Sequence, residues 1–152
     1  MSGDKRPLSV LVLAYTPGGE ILLLERLRQP GFWQSVTGSL EIGEDHRSAA
    51  IREFKEETGI PVCAEHLLDS GIENRFEILP LWRDRYPAGI VHNVERVFLI
   101  ELAEAISIQL APDEHRNSIW LPWQEAADRV FSWTNRDAIL RLAIKRDWIP
   151  SF

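Results

Sequence analysis

The stretch Gly38-Ser39-Leu40-Glu41-Ile42-Gly43-Glu44, followed a few residues later by Arg52-Glu53-Phe54-Lys55-Glu56-Glu57-Thr58-Gly59-Ile60, decides how this chain is read. Asp45 is a good helix N-cap, because its short side chain accepts from a backbone N–H of the first turn, and Gly59 suits the left-handed residue just past a helix end. A helix is therefore predicted from about Glu44-Asp45 to Gly59. At about 100° per residue, Ala50, Ile51, Phe54 and Thr58 share one stripe, while Glu53, Glu56 and Glu57 fall within an arc of about 100° elsewhere. One face packs and another gathers carboxylates.

A solvated acidic face is the ordinary reading of such a run, but here the energetics oppose it. Glu53 meets Glu56 and Glu57 at the spacings where like charges cost about 0.2–0.5 kcal/mol per pair. All three also sit in the C-terminal half of the helix, where the macrodipole disfavours anions. A bound divalent cation reverses the sign of both effects. Oxygen-only ligands suit hard ions, so Mg2+ or Mn2+ is the expected cofactor, and such ions are typically shared between carboxylates and substrate phosphates. The helix thus points to metal-assisted chemistry on a phosphate compound.

Working outward, Leu8–Tyr15 and Ile21–Glu25 read as strands joined by a Pro-Gly-Gly turn, a hairpin whose first strand is apolar throughout and so central in a sheet. Phe32 to Thr37 runs extended into Gly38. Further strands are expected near Glu65–Asn74, Val91–Glu101 and Ser118–Leu121, with a looser segment from Glu77 to Gly89. Pro122-Trp123-Gln124 opens a short helix to Val130, and a last helix runs from Thr134, taken as its N-cap, to Trp148, with Ala138, Ile139, Leu142 and Ile144 in its apolar set. Strands and helices in mixed order imply an α/β (α+β) sandwich with a mixed central sheet.

The chain has 152 residues, 45% of them hydrophobic and 26% charged, which suits one globular domain spanning 1–152 with a proper core. Its net charge of -6 argues against general nucleic-acid binding, because a basic face is the usual footprint. No stretch approaches the ~18 apolar residues of a membrane span. Lys5-Arg6 before the first apolar run imitates an export signal poorly, since a turn and no small-residue cleavage site follows. A cytoplasmic location is expected. The lone Cys63 permits no internal disulfide, fits a reducing compartment, and is expected in the core. His46, His66, His92 and His115 show no ligand spacing and are expected at the surface or in loops.

The pattern Gly-x5-Glu-x7-Arg-Glu-apolar-x-Glu-Glu-x-Gly-apolar is met at every defined position between Gly38 and Ile60. It resembles the signature of the Nudix hydrolases, enzymes that cleave nucleoside diphosphates linked to another group. The resemblance implies a sheet sandwiched between helices and a metal-dependent hydrolase. It assigns Glu53 and Glu57 as principal metal ligands, with Glu56 as a further ligand or as the base that activates water. Arg52 can reach Glu56 one turn on and hold it, beyond forming an ordinary helix ion pair. Gly38 is expected to let its loop approach the metal, and Glu44 to act as a cap or a ligand.

Flanking segments look like a bacterial subgroup of that family, the dihydroneopterin triphosphate pyrophosphatases. These are Lys5-Arg6-Pro7, Phe32 to Ser39, Arg85-Tyr86 with Asn93 and Glu95, and Ser132-Trp133-Thr134-Asn135-Arg136. By that likeness Glu114 completes the metal site, with Glu95 a weaker candidate. Lys5 and Arg26 can meet a triphosphate, against the plain alternative of a solvated surface. Trp33 or Phe76 can stack on a flat pterin, against the alternative of core packing, and Thr37 and Asn135 can hydrogen-bond its edge or the phosphate tail. The partner expected is a small-molecule triphosphate, with no nucleic acid and no membrane. Hydrolysis of canonical or oxidised nucleoside triphosphates, or of dinucleoside polyphosphates, stays open. A Nudix-like domain that binds without turnover is disfavoured, because every signature carboxylate is kept.

Overall fold

The structure is a computed structural model and describes residues 3–149. Its centre is the apolar strand β1 (Leu8–Tyr15), buried on both faces from Ser9 onward. Alternate β1 side chains feed two separate cores. Val10, Val12 and Ala14 pack with Ala49, Ala50 and Phe54 on one side. Leu11, Leu13 and Tyr15 pack with Ala126, Ala127, Ala138, Ile139 and Leu142 on the other. A period-2 strand that is apolar at every position has to be covered twice, which is why helices lie on both faces of the sheet.

The remaining strands are β2 (Glu20–Arg26), β3 (Trp33–Gln34), β4 (Val36–Ser39), β5 (Leu67–Glu77), β6 (His92–Glu101) and β7 (His115–Pro122). β1 runs parallel to β6 along its whole length, from Leu8↔Val94 to Tyr15↔Glu101, and antiparallel to β4 from Ser9↔Ser39 to Val12↔Val36. The sheet is therefore mixed. The expected hairpin opens early: β1 and β2 share only the Tyr15↔Ile21 register, beyond which β2 pairs with β7 and β1 with β4. β5 starts later and ends later than expected, and its pairing with β6 shifts register between Asp69 and Glu73, around the left-handed Gly71. A 3-10 turn over Pro80–Arg85 occupies the segment expected to be loose.

Helix α1 spans His46–Thr58. Asp45 accepts from Ser48 N at 2.7 Å, and Gly59, at φ 76°, donates its N–H back to Lys55 O. Both local cap expectations match. Helix α2 covers Trp123–Arg129 and α3 covers Trp133–Lys145. The cap of α3 is Ser132, which accepts from Asn135 N at 3.1 Å, and not Thr134; the helix also stops before Trp148. Two other expectations fail. Ile144 is exposed on α3, and Cys63 is exposed just ahead of a 3-10 turn rather than in the core. Among the described residues no helix is long and apolar enough to cross a membrane.

Candidate active site

The three α1 carboxylates meet different environments because the helix packs one side, through Ala50 and Phe54, on a face of the sheet and leaves the opposite side open. Glu57 follows the Phe54 side inward and is 1% exposed, whereas the side chain of Glu56 points outward and is 53% exposed. Glu53 lies between them, over Gly38. A Cβ on Gly38 would sit 2.1 Å from Glu53 Cδ, so this glycine makes room for a carboxylate.

Arg52 holds the cluster from behind, but not chiefly through Glu56. Its Nε and Nη2 each donate to Glu44 at 2.8 Å, Nη1 donates to Glu53 at 2.9 Å, and Nη2 donates to Ser39 O at 3.1 Å, while Glu56 is met only at 3.4 Å. The hydrogen bonds from Arg52 hold the Glu44 carboxyl below its ordinary range. Glu44 also accepts from Glu41 N, so it is neither the cap nor free to ligate; it anchors Arg52. A bidentate guanidinium–carboxylate pair of this kind fixes direction as well as distance.

Glu57 is the most informative side chain. Both its oxygens are shut off from water and meet no N–H or O–H donor. Burial first, and then the neighbouring carboxyls of Glu53, Glu114 and Glu56, push its pKa well above the ordinary value. A hydrogen bond shared with Glu53 raises it further. Burying an unpaired carboxylate is among the costliest arrangements in a fold, and such groups are usually paired or bound to metal. Glu114, on the loop leading into β7, brings a third carboxyl close, itself raised by burial and by Glu53. One ligand atom each from Glu57, Glu114 and His115 lies within 4.8 Å of the others.

His115 contradicts the expectation of a surface histidine. It is buried, with Nε2 3.6 Å from Glu57 Oε1 and 3.4 Å from Gln34 Nε2. Burial and the nearby Arg26 push its pKa down to about 4, so the ring is neutral at ordinary pH. It therefore offers a lone pair and not a counter-charge. The donor set, several carboxylate oxygens plus a neutral imidazole, suits a divalent cation.

A cleft of about 650 Å³ extends from these carboxylates to the far end of β6. Lys5, Arg26, Thr37, Phe76 and Asn135 all line it, as expected from sequence. Trp33 does not. It packs against the α2/α3 core with the Arg129 guanidinium 5.7 Å over its ring, the core-packing alternative. Asn135 spends both ends of its amide on Ser35, accepting from Ser35 N at 2.8 Å and donating to Ser35 Oγ at 3.0 Å, so it fastens α3 to the β3–β4 bend. Thr37 Oγ1 donates to Val10 O at 3.0 Å and fixes β4 on β1.

The cations are held in tension. Burial, then Arg85 and Arg26, pull the Lys5 ammonium below its usual pKa. Arg26 and Arg85 both lie over the Trp82 ring, at 4.7 and 5.7 Å. Trp82 and the burial of His115 escaped the sequence reading, and Arg85 and Gln34, though within the segments that carry the likeness, were given no role there. The run Trp82-Arg83-Asp84-Arg85-Tyr86, cations between two aromatics, carried a signal for Trp82 and Arg85.

A match to the NUDIX domain covers residues 5–142 of the chain. The chain belongs to the Nudix family. Among Nudix relatives it is 42% identical over 143 residues to the dihydroneopterin triphosphate diphosphatase of Escherichia coli K12, covering 92% of this chain and 94% of that one. It is 36% identical to the enzyme of that name in Haemophilus influenzae, covering 89% and 86% respectively. The solved structure of the E. coli dihydroneopterin triphosphate pyrophosphohydrolase superposes with a TM-score of 0.88 at 41% identity, over 95% of this chain and 99% of that one. The mixed sheet between helices is thus the Nudix fold, and the acidic cluster on α1 lies within the matched region.

Proposed function

We propose that this protein is a divalent-cation-dependent dihydroneopterin triphosphate diphosphatase, releasing pyrophosphate and leaving the monophosphate, with residues 1–152 acting as one domain. The observation that carries the reading is Glu57, a buried carboxylate with no hydrogen-bond donor at the end of a cleft that holds cations and a flat aromatic wall. The high identity to relatives of that name, along nearly their whole length, supports the same substrate.

Glu53, Glu57 and Glu114 would hold the ion, with His115 beside them, and Mg2+ or Mn2+ fits the oxygen-rich set. When bound, the ion supplies positive charge against phosphate oxygens and acidifies water. Arg52 keeps Glu53 aimed by binding it together with Glu44, so the carboxylate does not have to be ordered at the moment of reaction. Glu56 would take the proton of the attacking water or serve as a further ligand, although its half-exposed side chain points away from the residues that line the cleft. Lys5 and Arg26, with Arg85, draw in the triphosphate; their mutual repulsion is relieved when an anion enters. Phe76 offers a face to the flat ring, while Thr37 and Asn135 hold the strands and helix that shape the cleft. The exposed, unpaired Cys63 supports a reducing, cytoplasmic setting.

Parallel assays test the substrate. Pyrophosphate release from dihydroneopterin triphosphate is expected to exceed, by at least tenfold in kcat/KM, hydrolysis of an oxidised purine triphosphate or a diadenosine polyphosphate. A large preference for either competitor would overturn the assignment.

A further inference from the structure

The end of the cleft away from α1 contains a carboxyl that the proposed hydrolysis does not use. Asn93 and Glu95 stand two residues apart on β6, so both project from the same face of the sheet. Both line the cleft and both are buried, at 3% and 4% exposure. Each has an acceptor without a donor. Asn93 Oδ1 is unpaired, although its Nδ2 donates to Ser9 Oγ at 2.7 Å, and Glu95 Oε1 is unpaired as well.

Neighbouring groups do not supply what is missing. Asn74 is the cross-strand partner of Glu95, yet its own Nδ2 is also buried without a partner, so the two do not satisfy each other. Among the described residues no cation forms an ion pair with Glu95. Burial pushes its carboxyl up to about 7, opposed only by the Thr134 hydroxyl at the start of α3. Phe76, the cross-strand partner of Asn93, stands half-buried at the same end. Two buried acceptors beside an aromatic face, opening into a cleft, form a site that lacks its donors.

We propose that Glu95, assisted by Asn93, reads the edge of the substrate's heterocycle and selects rings in which a ring N–H stands beside an exocyclic amino group, as in a 2-amino-4-oxopyrimidine. This rests on the reading of the cleft as a triphosphate site and names the group that sets its ring specificity. A carboxylate accepts two parallel N–H groups at once, and two donors arriving together hold it in its charged form. Adenine presents an acceptor beside its amino group, and would face Glu95 with like against like. Sites built to hydrogen-bond a donor discriminate strongly against analogues that lack it, because the buried acceptor is then stranded.

GTP and ITP test this directly, since they differ only in the exocyclic amino group. In the full-length, Mg2+-loaded protein, kcat/KM as substrates, or Ki as inhibitors where turnover is slow, is expected to favour GTP by about tenfold or more, as for a hydrogen bond to a charged partner. Glu95→Gln, which turns one acceptor into a donor, is expected to bring the ratio close to one. A ratio near one in the unsubstituted protein, including no effect of either nucleotide, would overturn the proposal, as would a preference that survives in Glu95→Gln. The unsubstituted ratio stands alone as the criterion if the variant does not fold. Pyrophosphate release from dihydroneopterin triphosphate, run alongside, tests the substrate reading separately.

Discussion

Glu95 shows how one side chain can couple the cleft to stability. Its carboxyl is raised from 4.5 to about 7 by burial, so between those values the native state holds a proton that the unfolded chain has released. Stability from this group is complete below pH 4.5 and is lost as pH rises through about 7. Replacing it by Gln removes that slope. Relative to the unsubstituted protein, Glu95→Gln is expected to gain about 3 kcal/mol between acid pH and about pH 8, a melting shift of several degrees. Thermal melts of both proteins across that range check it, and an unchanged difference at the two ends would mean that Glu95 titrates in the native state as it does in the unfolded chain, unshifted by burial. Glu57 is pushed in the same direction by the same cause, but there the neighbouring carboxyls add to burial, which marks it for a cation and not for a ring edge.

At the scale of elements, α1 and β4 form one device. Gly38 on β4 leaves the space that the Glu53 carboxyl occupies, and Arg52 ties Glu53 to Glu44 and to Ser39 O. Gly38→Ala would displace a flexible side-chain end and no backbone, so the fold is expected to survive while Glu53 loses its aim. Turnover should fall about 10- to 100-fold, as when a ligand's support is removed, with the melting temperature little changed. Full activity in that variant would separate Glu53 from the reaction. The limits of α1 were legible because caps are local: Asp45 and Gly59 act on atoms within a turn of themselves. The role of Gly38 and the main partner of Arg52 were not, because Glu53 and Glu44 reach them across the bend between β4 and α1. Ser132 and Thr134 are both hydroxyls at the start of α3, and only the backbone geometry decides which of them caps it.

For the whole molecule, the apolar run of β1 announced a centrally placed strand, and the mixed order of strands and helices pointed to the fold class. The cleft could not be read that way. His115 reaches Glu57 only because β7 pairs with β2, with a register shift between Glu25 and Arg26 that sets His115 opposite Arg26. Trp33 is turned into the α2/α3 core by contacts that no local pattern encodes. What the sequence did carry was the carboxylate spacing, and the molecule as a whole places those side chains at one end of a cleft with cations along its walls. With a net charge of -6, the protein has to concentrate its positive charge where an anionic substrate is to enter. The most direct test of the account is the initial rate of pyrophosphate release from dihydroneopterin triphosphate, titrated with Mg2+, in the unsubstituted protein and in Glu57→Gln. The account predicts saturating activation by Mg2+, none with a chelator present, and a rate near background at every Mg2+ concentration in Glu57→Gln. Equal rates in the two proteins, or full release in the presence of the chelator, would contradict it.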